Sequence, residues 1–441
     1  MAANKSLSDE ELVRRLGAHP QLRNRMESLL LAVEDEAGDL READAAELRL
    51  IEEIRRMGQE ALQAWASGQV EKTSQEIGQE GGVWSEGKKN CWHTTFGEIA
   101  VEEPQYRKGS KRIRAFAQSA KVSHRGCSKP LQRAVTDFGA DVPFAQAMDK
   151  LVEHYGVVLA ESTIRRITEG HAQAIFEAVD LDEAWPTQTG HEDLIAQMDG
   201  GMVPTVEPDA AQKDKRKGKK LVWKEAKICL AHAKGSKTLA FGGTLQGDAV
   251  TAGQHLFACA RAAGFGTNSR IHAVGDGAPW IADQVEQRFG TQGSYLIDFF
   301  HVCEYLSPAA QALTPTPQDC KTWMDDHKER LKTGRAQEVI QALKPHLEAP
   351  SVADIDAPVR QCHRYLSKRL HQIDYQHALA NDLPIGSGEI ESAHRYVAQK
   401  RLKLPGAWWL AANADHMLAL RLNRFNKRWN QYWAQDVKLA A

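Results

Sequence analysis

Hydrophobic positions change rhythm along the chain. Up to about residue 80 they recur at helical spacing. Ser8-Asp9-Glu10-Glu11 forms a capping box that predicts a first helix. Leu48, Ile51, Ile54, Ala61, Leu62 and Trp65 repeat at near-heptad intervals along a longer one. That stripe predicts packing within the chain in preference to a dimer seam. The polar, glycine-containing stretch SGQVEKTSQEIGQEGG predicts a linker closing this helical head. From Val83 to about Val122 short β-like pieces, TTFGEIAVEEPQYRKGSKRIRAFA among them, predict a small β-ribbon.

Helical spacing then returns. PFAQAMDKLVEHYG carries Phe144, Met148, Leu151 and Val152 on one face and stops at Gly156. STIRRITEGHAQAI restarts with Ser162 as the expected N-cap, so a helix-turn-helix is expected, with Arg165 and Arg166 near the start of its second helix. From residue 194 the texture is strand-like, and LIAQMDGGMVPTVE, WKEAKICLAHA, KTLAFGGTL, RIHAVGDG and SYLIDFFHV read as five strands in order. Helical patterns resume after Tyr305 and continue to about Ala380. A Pro384-Ile385-Gly386-Ser387-Gly388 loop then opens another helix. The expected organisation is an acidic helical region at 1–80, a basic β-ribbon at 81–130 and a helix-turn-helix at 131–190. An α/β core follows at 191–305, then a helical insertion at 306–380 and a last helical segment at 381–441.

Charge adds a partner to this picture. The formal balance is only −2, yet residues 1–80 hold 10 Lys and Arg against 17 Asp and Glu. Residues 85–135 hold 11 against 4, and residues 391–441 hold 9 against 3. An acidic head thus masks two basic regions, the electrostatic footprint of phosphate-backbone binding. The run Lys213-Asp214-Lys215-Arg216-Lys217-Gly218-Lys219-Lys220 is a further basic loop between two strands. No apolar stretch approaches a membrane span and the acidic start lacks the core of a signal peptide, so a cytoplasmic protein without a membrane partner is expected. The seven cysteines are scattered without any CxxC pair, which predicts reduced thiols rather than disulfides or a zinc ribbon. The tryptophans Trp408, Trp409, Trp429 and Trp433 are expected in the core, with stacking on unpaired bases as the alternative.

Two acids stand at corresponding places. Asp199 follows the apolar run Ala196-Gln197-Met198 and precedes Gly200-Gly201; Asp276 follows Ala273-Val274 between Gly275 and Gly277. Read alone, each could be a loop aspartate capping a helix. Together, as strand ends of one sheet, they would emerge on the same edge, where open α/β sheets place their ligands. A third carboxylate from the helix after the Gly386-Ser387-Gly388 loop would complete a hard-oxygen set for Mg²⁺ or Mn²⁺. Glu389 and Glu391 flank the expected core stripe Ile390, Ala393 and Val397 on opposite sides, so periodicity does not choose between them. Asp298 and His301 receive no catalytic role, and FGGTLQG lacks the spacing of a dinucleotide-binding loop.

The order MDGG, GDGAPW, IDFFH and LPIGSGEIESAHRYVAQKRLK resembles the ISKra-like group of bacterial insertion-sequence transposases, and the resemblance extends over nearly the whole chain. It implies a DDE transposase with an RNase H-like catalytic core, in which Asp199, Asp276 and Glu391 are the acids that hold two Mg²⁺ or Mn²⁺ ions. It also implies double-stranded DNA as the partner, both terminal inverted repeats and target, with at least a homodimer pairing two ends. Arg165, Arg166, Lys215, Arg216, Lys217, Arg395, Lys400 and Arg401 are the expected DNA contacts. The rival expectations are a nuclease of the same fold that cuts without joining, and a non-catalytic, sequence-specific DNA-binding regulator.

Overall fold

The first helix, α1 (Asp9–Gly17), opens as its capping box predicts, with Ser8 Oγ accepting the Glu11 N–H at 3.3 Å. The computed structural model describes residues 7–34, 42–122, 126–209, 211 and 218–435. Its contacts divide the chain into two units, Met1–Thr168 and Glu169–Ala441. Among the described residues no helix is long and apolar enough to cross a membrane.

In the first unit α2 (Pro20–Glu34) precedes the long helix α3 (Ala43–Gln79). One expectation fails here and a second holds only in part. The stretch expected as a linker is helical to Gln79, because Ala66 and Ile77 are buried and Val70 packs against Ile99, Val101 and Phe116. That burial outweighs the roughly 1 kcal/mol cost of each helical glycine. The near-heptad stripe packs within the chain only at its end, where Leu62 meets Ile99, Val101 and Phe116 and the Trp65 ring lies 6.0 Å from that of Trp92, whereas Leu48, 69% exposed, Ile51 and Ile54 face outward. The turn that carries them buries Glu53 instead, ion-paired with Arg25, Arg49 and Arg56.

Strands β1 (Val83–Thr94), β2 (Gly97–Lys108) and β3 (Lys111–Arg114) form an antiparallel sheet. The ribbon ends earlier than expected, because Ala115–Ala120 forms a helix, α4. Glu103 fixes that switch, its Oε2 accepting the N–H groups of Phe116 at 2.8 Å and Ala117 at 3.0 Å. A carboxylate on the orphan donors of a helix start is worth about 1 kcal/mol.

Helices α5 (Lys129–Asp141), α6 (Phe144–Tyr155) and α7 (Glu161–Glu177) enclose Leu131, Val135, Leu151, Ile164 and Ile167. Gly156 ends α6 at φ 63°. The turn to α7 is short, but the helix starts one residue before the expected Ser162 cap, since the Ala160 carbonyl accepts the Thr163 N–H at 2.9 Å. Arg165 and Arg166 are exposed near its start.

All five expected strands of the second unit are present: β4 (Asp193–Pro208), β5 (Lys219–Ala233), β6 (Ala240–Thr244), β7 (Arg270–Gly275) and β8 (Gly293–Ile297). Their order is β6-β5-β4-β7-β8, with β4, β5 and β6 antiparallel and β7 and β8 parallel to β4. Strand alternation sends Leu194, Ala196, Met198, Ile271 and Ala273 to one face. There they pack on α8 (Ala249–Ala262) and α9 (Pro279–Phe289).

Helices α10 (Phe299–Leu313), α11 (Pro317–Lys332), α12 (Ala336–Leu343), α13 (Pro358–Lys368) and α14 (Tyr375–Ala380) build a second core. Val302, Leu306, Leu331, Val339, Leu366 and Tyr375 fill it. The chain closes with α15 (Gly388–Ala393), a π-helical turn at His394–Gln399, α16 (Lys400–Leu402), α17 (Ala411–Phe425) and α18 (Trp429–Ala434). Ile390, Ala393 and Val397 are buried as their spacing predicts. Trp409 and Trp433 lie in the interior, whereas Trp408 is 62% exposed, contrary to the expectation that it packs.

Candidate active site

Asp199 and Asp276 occupy equivalent places on neighbouring parallel strands. The β4–β7 register ends at Gln197↔Val274, and two further residues along each strand bring Asp199 beside Asp276. The expectation that both acids end their strands needs one correction. Asp276 leaves β7 at its carboxyl end, but β4 continues through Asp199 to Pro208, paired with β5 alone. Gly200 and Gly201 therefore do not terminate the strand. They are small because side chains stand where theirs would go: a Cβ at Gly201 would lie 2.6 Å from His394 Nδ1. Gly201→Ala should displace that buried ring, at a cost of about 1–3 kcal/mol. A thermal melt unchanged from wild type would contradict this contact.

The third acid comes from α15, which lies across the Gln197 and Asp199 side of the sheet. Gln197 Oε1 accepts the Ile390 N–H at 2.9 Å, and its amide donates to Glu389 Oε2 at 3.1 Å. Glu389 also pairs with His232 Nε2 at 3.0 Å. The two glutamates that periodicity left equivalent therefore differ in their contacts. Glu389 is held by two side chains, whereas the exposed Glu391 carboxylate has no hydrogen bond or ion pair among the described residues.

Charge links the three acids. Burial raises the Asp199 carboxyl above its ordinary range, and the negative charges of Asp276 and Glu391 push it the same way. His394 and the Gly200 N–H pull it down. His394 Nε2 sits 3.2 Å from the Asp199 carbonyl oxygen and 3.4 Å from its Oδ2. Asp199 Oδ1 accepts the Gly200 N–H at 2.7 Å, and Asp276 Oδ1 accepts the Ala278 N–H at 2.8 Å. The acids share a space without closing on it: among the described residues, no group of three or more His, Cys, Asp or Glu side chains could hold a metal ion as placed.

Neighbouring elements fix the loops that carry the acids. Asp298 ties three of them together. Its N–H donates to Gly275 O, its Oδ1 accepts the Phe300 and His301 N–H groups, and its Oδ2 accepts Ser387 N–H and Oγ–H, each at 2.5 Å. The helical block reaches the second acid through Tyr365 Oη, which donates to the Asp276 carbonyl at 3.3 Å, and Arg369, which donates to Gly277 O. Gly277 has φ 87° and a Cβ there would meet Tyr365 Oη at 2.3 Å, so a side chain is excluded twice.

Sequence reading missed this supporting set. Gln197 was visible as a polar residue inside a buried strand, and His394 as lying one helical turn from Glu391. Tyr365 and Arg369 carry no local signal.

The expected DNA contacts divide. Arg165, Arg166, Arg395 and Lys400 are exposed. Lys215, Arg216 and Lys217 lie outside the described residues. Arg401 must be withdrawn: it is 2% exposed, with its guanidinium 4.8 Å from the Trp409 ring, so the interior takes it. No protein-family model matches this chain, and no curated protein does.

Proposed function

We propose that the chain is a metal-dependent DNA transposase of the ISKra-like DDE type, with an RNase H-like core in its second unit. The observation that carries this reading is the placing of Asp199 and Asp276 in equivalent positions on neighbouring parallel strands, with Glu391 unpartnered among the described residues on a helix that packs on β4 and β5. The mixed five-stranded sheet supports the fold assignment.

The donor set suits a hard divalent cation, since its oxygens are carboxylates and their mutual repulsion is what a cation relieves. Asp199, Asp276 and Glu391 would hold Mg²⁺ or Mn²⁺, two ions in the full reaction. Bound there, divalent ions activate an attacking water or 3′-hydroxyl and offset charge on the leaving oxygen.

The chain's own residues do the rest. His394 holds Asp199 from behind, Asp298 fixes the loop before Glu391, and Arg395 and Lys400 offer charge to phosphates beyond it. Arg165 and Arg166 on α7 would contact the inverted repeats, with phosphate contacts supplying affinity and a few base contacts the register. Pairing two ends calls for at least a homodimer.

The test is end cleavage and strand transfer on DNA bearing the flanking repeats, with Mg²⁺ or Mn²⁺ and with chelator. Asp276→Asn and Asp199→Asn should abolish both steps while repeat-specific binding persists. Full cleavage by Asp276→Asn would sink the assignment. Chelator-insensitive binding without any cleavage would favour a DNA-binding regulator, and cleavage without joining would favour a nuclease.

A further inference from the structure

We infer that the ribbon formed by β4 and β5 carries a stacking surface for unpaired DNA bases, made by Trp223 and Trp408 and flanked by lysines. This rests on the DNA reading above and adds to it the form of DNA that is held. β7 pairing ends at Gln197 and β6 pairing opposite Gly200, and beyond that point β4 and β5 pair with each other alone as far as Pro208↔Lys219. The sheet face that α8 and α9 cover in the core, through Met198 and Cys229, continues onto the ribbon as Met202, Pro204, Leu221 and Trp223. There its cover is incomplete: Val206 on the same face stays buried, but its neighbours do not. Trp223 is 53% exposed, and Met202 and Leu221 are exposed beside it. Farther out, the Val206 N–H donates to Trp409 O at 2.7 Å, which brings exposed Trp408 alongside, with Lys219 Nζ 5.8 Å from its ring.

Charge chooses the occupant. Residues 202–227 hold eight Lys and Arg against four Asp and Glu. Lys224 and Lys227 are paired with Glu207 and Glu225, whereas Lys219 and Lys220 are exposed at the start of β5. Exposed lysines beside the exposed indoles, Lys219 close to Trp408, suit a polyanion that offers flat rings. A paired duplex hides those rings, whereas unpaired nucleotides present them.

Binding separates this idea from the catalytic one. The probe is a labelled duplex of arbitrary sequence with an oligothymidine tail, compared with the same duplex blunt-ended, by fluorescence anisotropy. Trp223→Ala and Trp408→Ala should each weaken tailed-DNA binding roughly tenfold and leave blunt-duplex binding unchanged. Trp223→Phe should recover most of the loss, which a folding defect would not. Unchanged tail binding in both alanine variants overturns the stacking surface, and if Asp276→Asn has lost cleavage the transposase reading still stands. A shift from dimer to monomer on Trp223→Ala, with tail binding intact, also overturns it in favour of a second copy of this chain. Wild type that binds neither probe overturns both.

Discussion

Glu391→Gln is expected to lose metal-dependent DNA cleavage by about 10²–10³-fold, the scale of removing one preorganised electrostatic contact at a reacting centre. Glu389→Gln, two residues away, should keep it. The difference follows from what each carboxylate already does: Glu389 is engaged by Gln197 and His232, while Glu391 stands free among the described residues.

Glu389→Gln should act on stability instead, and its pH dependence identifies the contact. The hydrogen bond to Glu389 raises the His232 imidazole above its ordinary value of 6.5. A folded state that binds the proton more tightly gains stability, fully present below the unfolded value and lost as pH rises through the folded one. The melting-temperature gap between wild type and Glu389→Gln should therefore be widest below pH 6.5 and narrow toward pH 9. A gap that widens with pH would refute the pairing. Cleavage lost in Glu389→Gln and kept in Glu391→Gln would reverse the assignment of the third acid.

Arg421→Met should cost on the order of 3 kcal/mol, the sum of two hydrogen bonds from a charged donor. Arg421, on α17, is 1% exposed, and its guanidinium donates to the carbonyls of Tyr396 and Val397. Those carbonyls belong to the π-helical turn that follows Glu391 and carries His394. Such turns are rare and need outside support. Methionine keeps the apolar stem but supplies no donor, so the turn should relax toward α-helical spacing and rotate His394 away from Asp199. Chemical denaturation reads the stability loss, and metal-dependent cleavage should fall with it at temperatures where the variant stays folded. An unchanged denaturation midpoint would show that the π turn holds without Arg421.

Patterning along the chain was a good guide wherever one element's own residues decide the outcome. Alternating apolar runs marked the five strands of the second unit, and the spacing of Ile390, Ala393 and Val397 marked the buried side of the helix after the loop. Both periodicities follow from local backbone geometry, which a sequence states directly. The glycines at 200 and 201 misled for the same reason, since a strand that ends and a strand that makes room for His394 look alike in one dimension.

What only the tertiary structure decided is which covered face meets which partner. Periodicity gives an apolar side to the turn carrying Leu48 and Ile51, but among the described residues both side chains stay exposed. It gives Arg401 a charge, but Trp409 draws that side chain into the interior. It leaves Glu389 and Glu391 equivalent until Gln197 and His232 claim the first. Each of these outcomes depends on side chains distant in sequence, whose approach is set by long-range packing that no local pattern encodes.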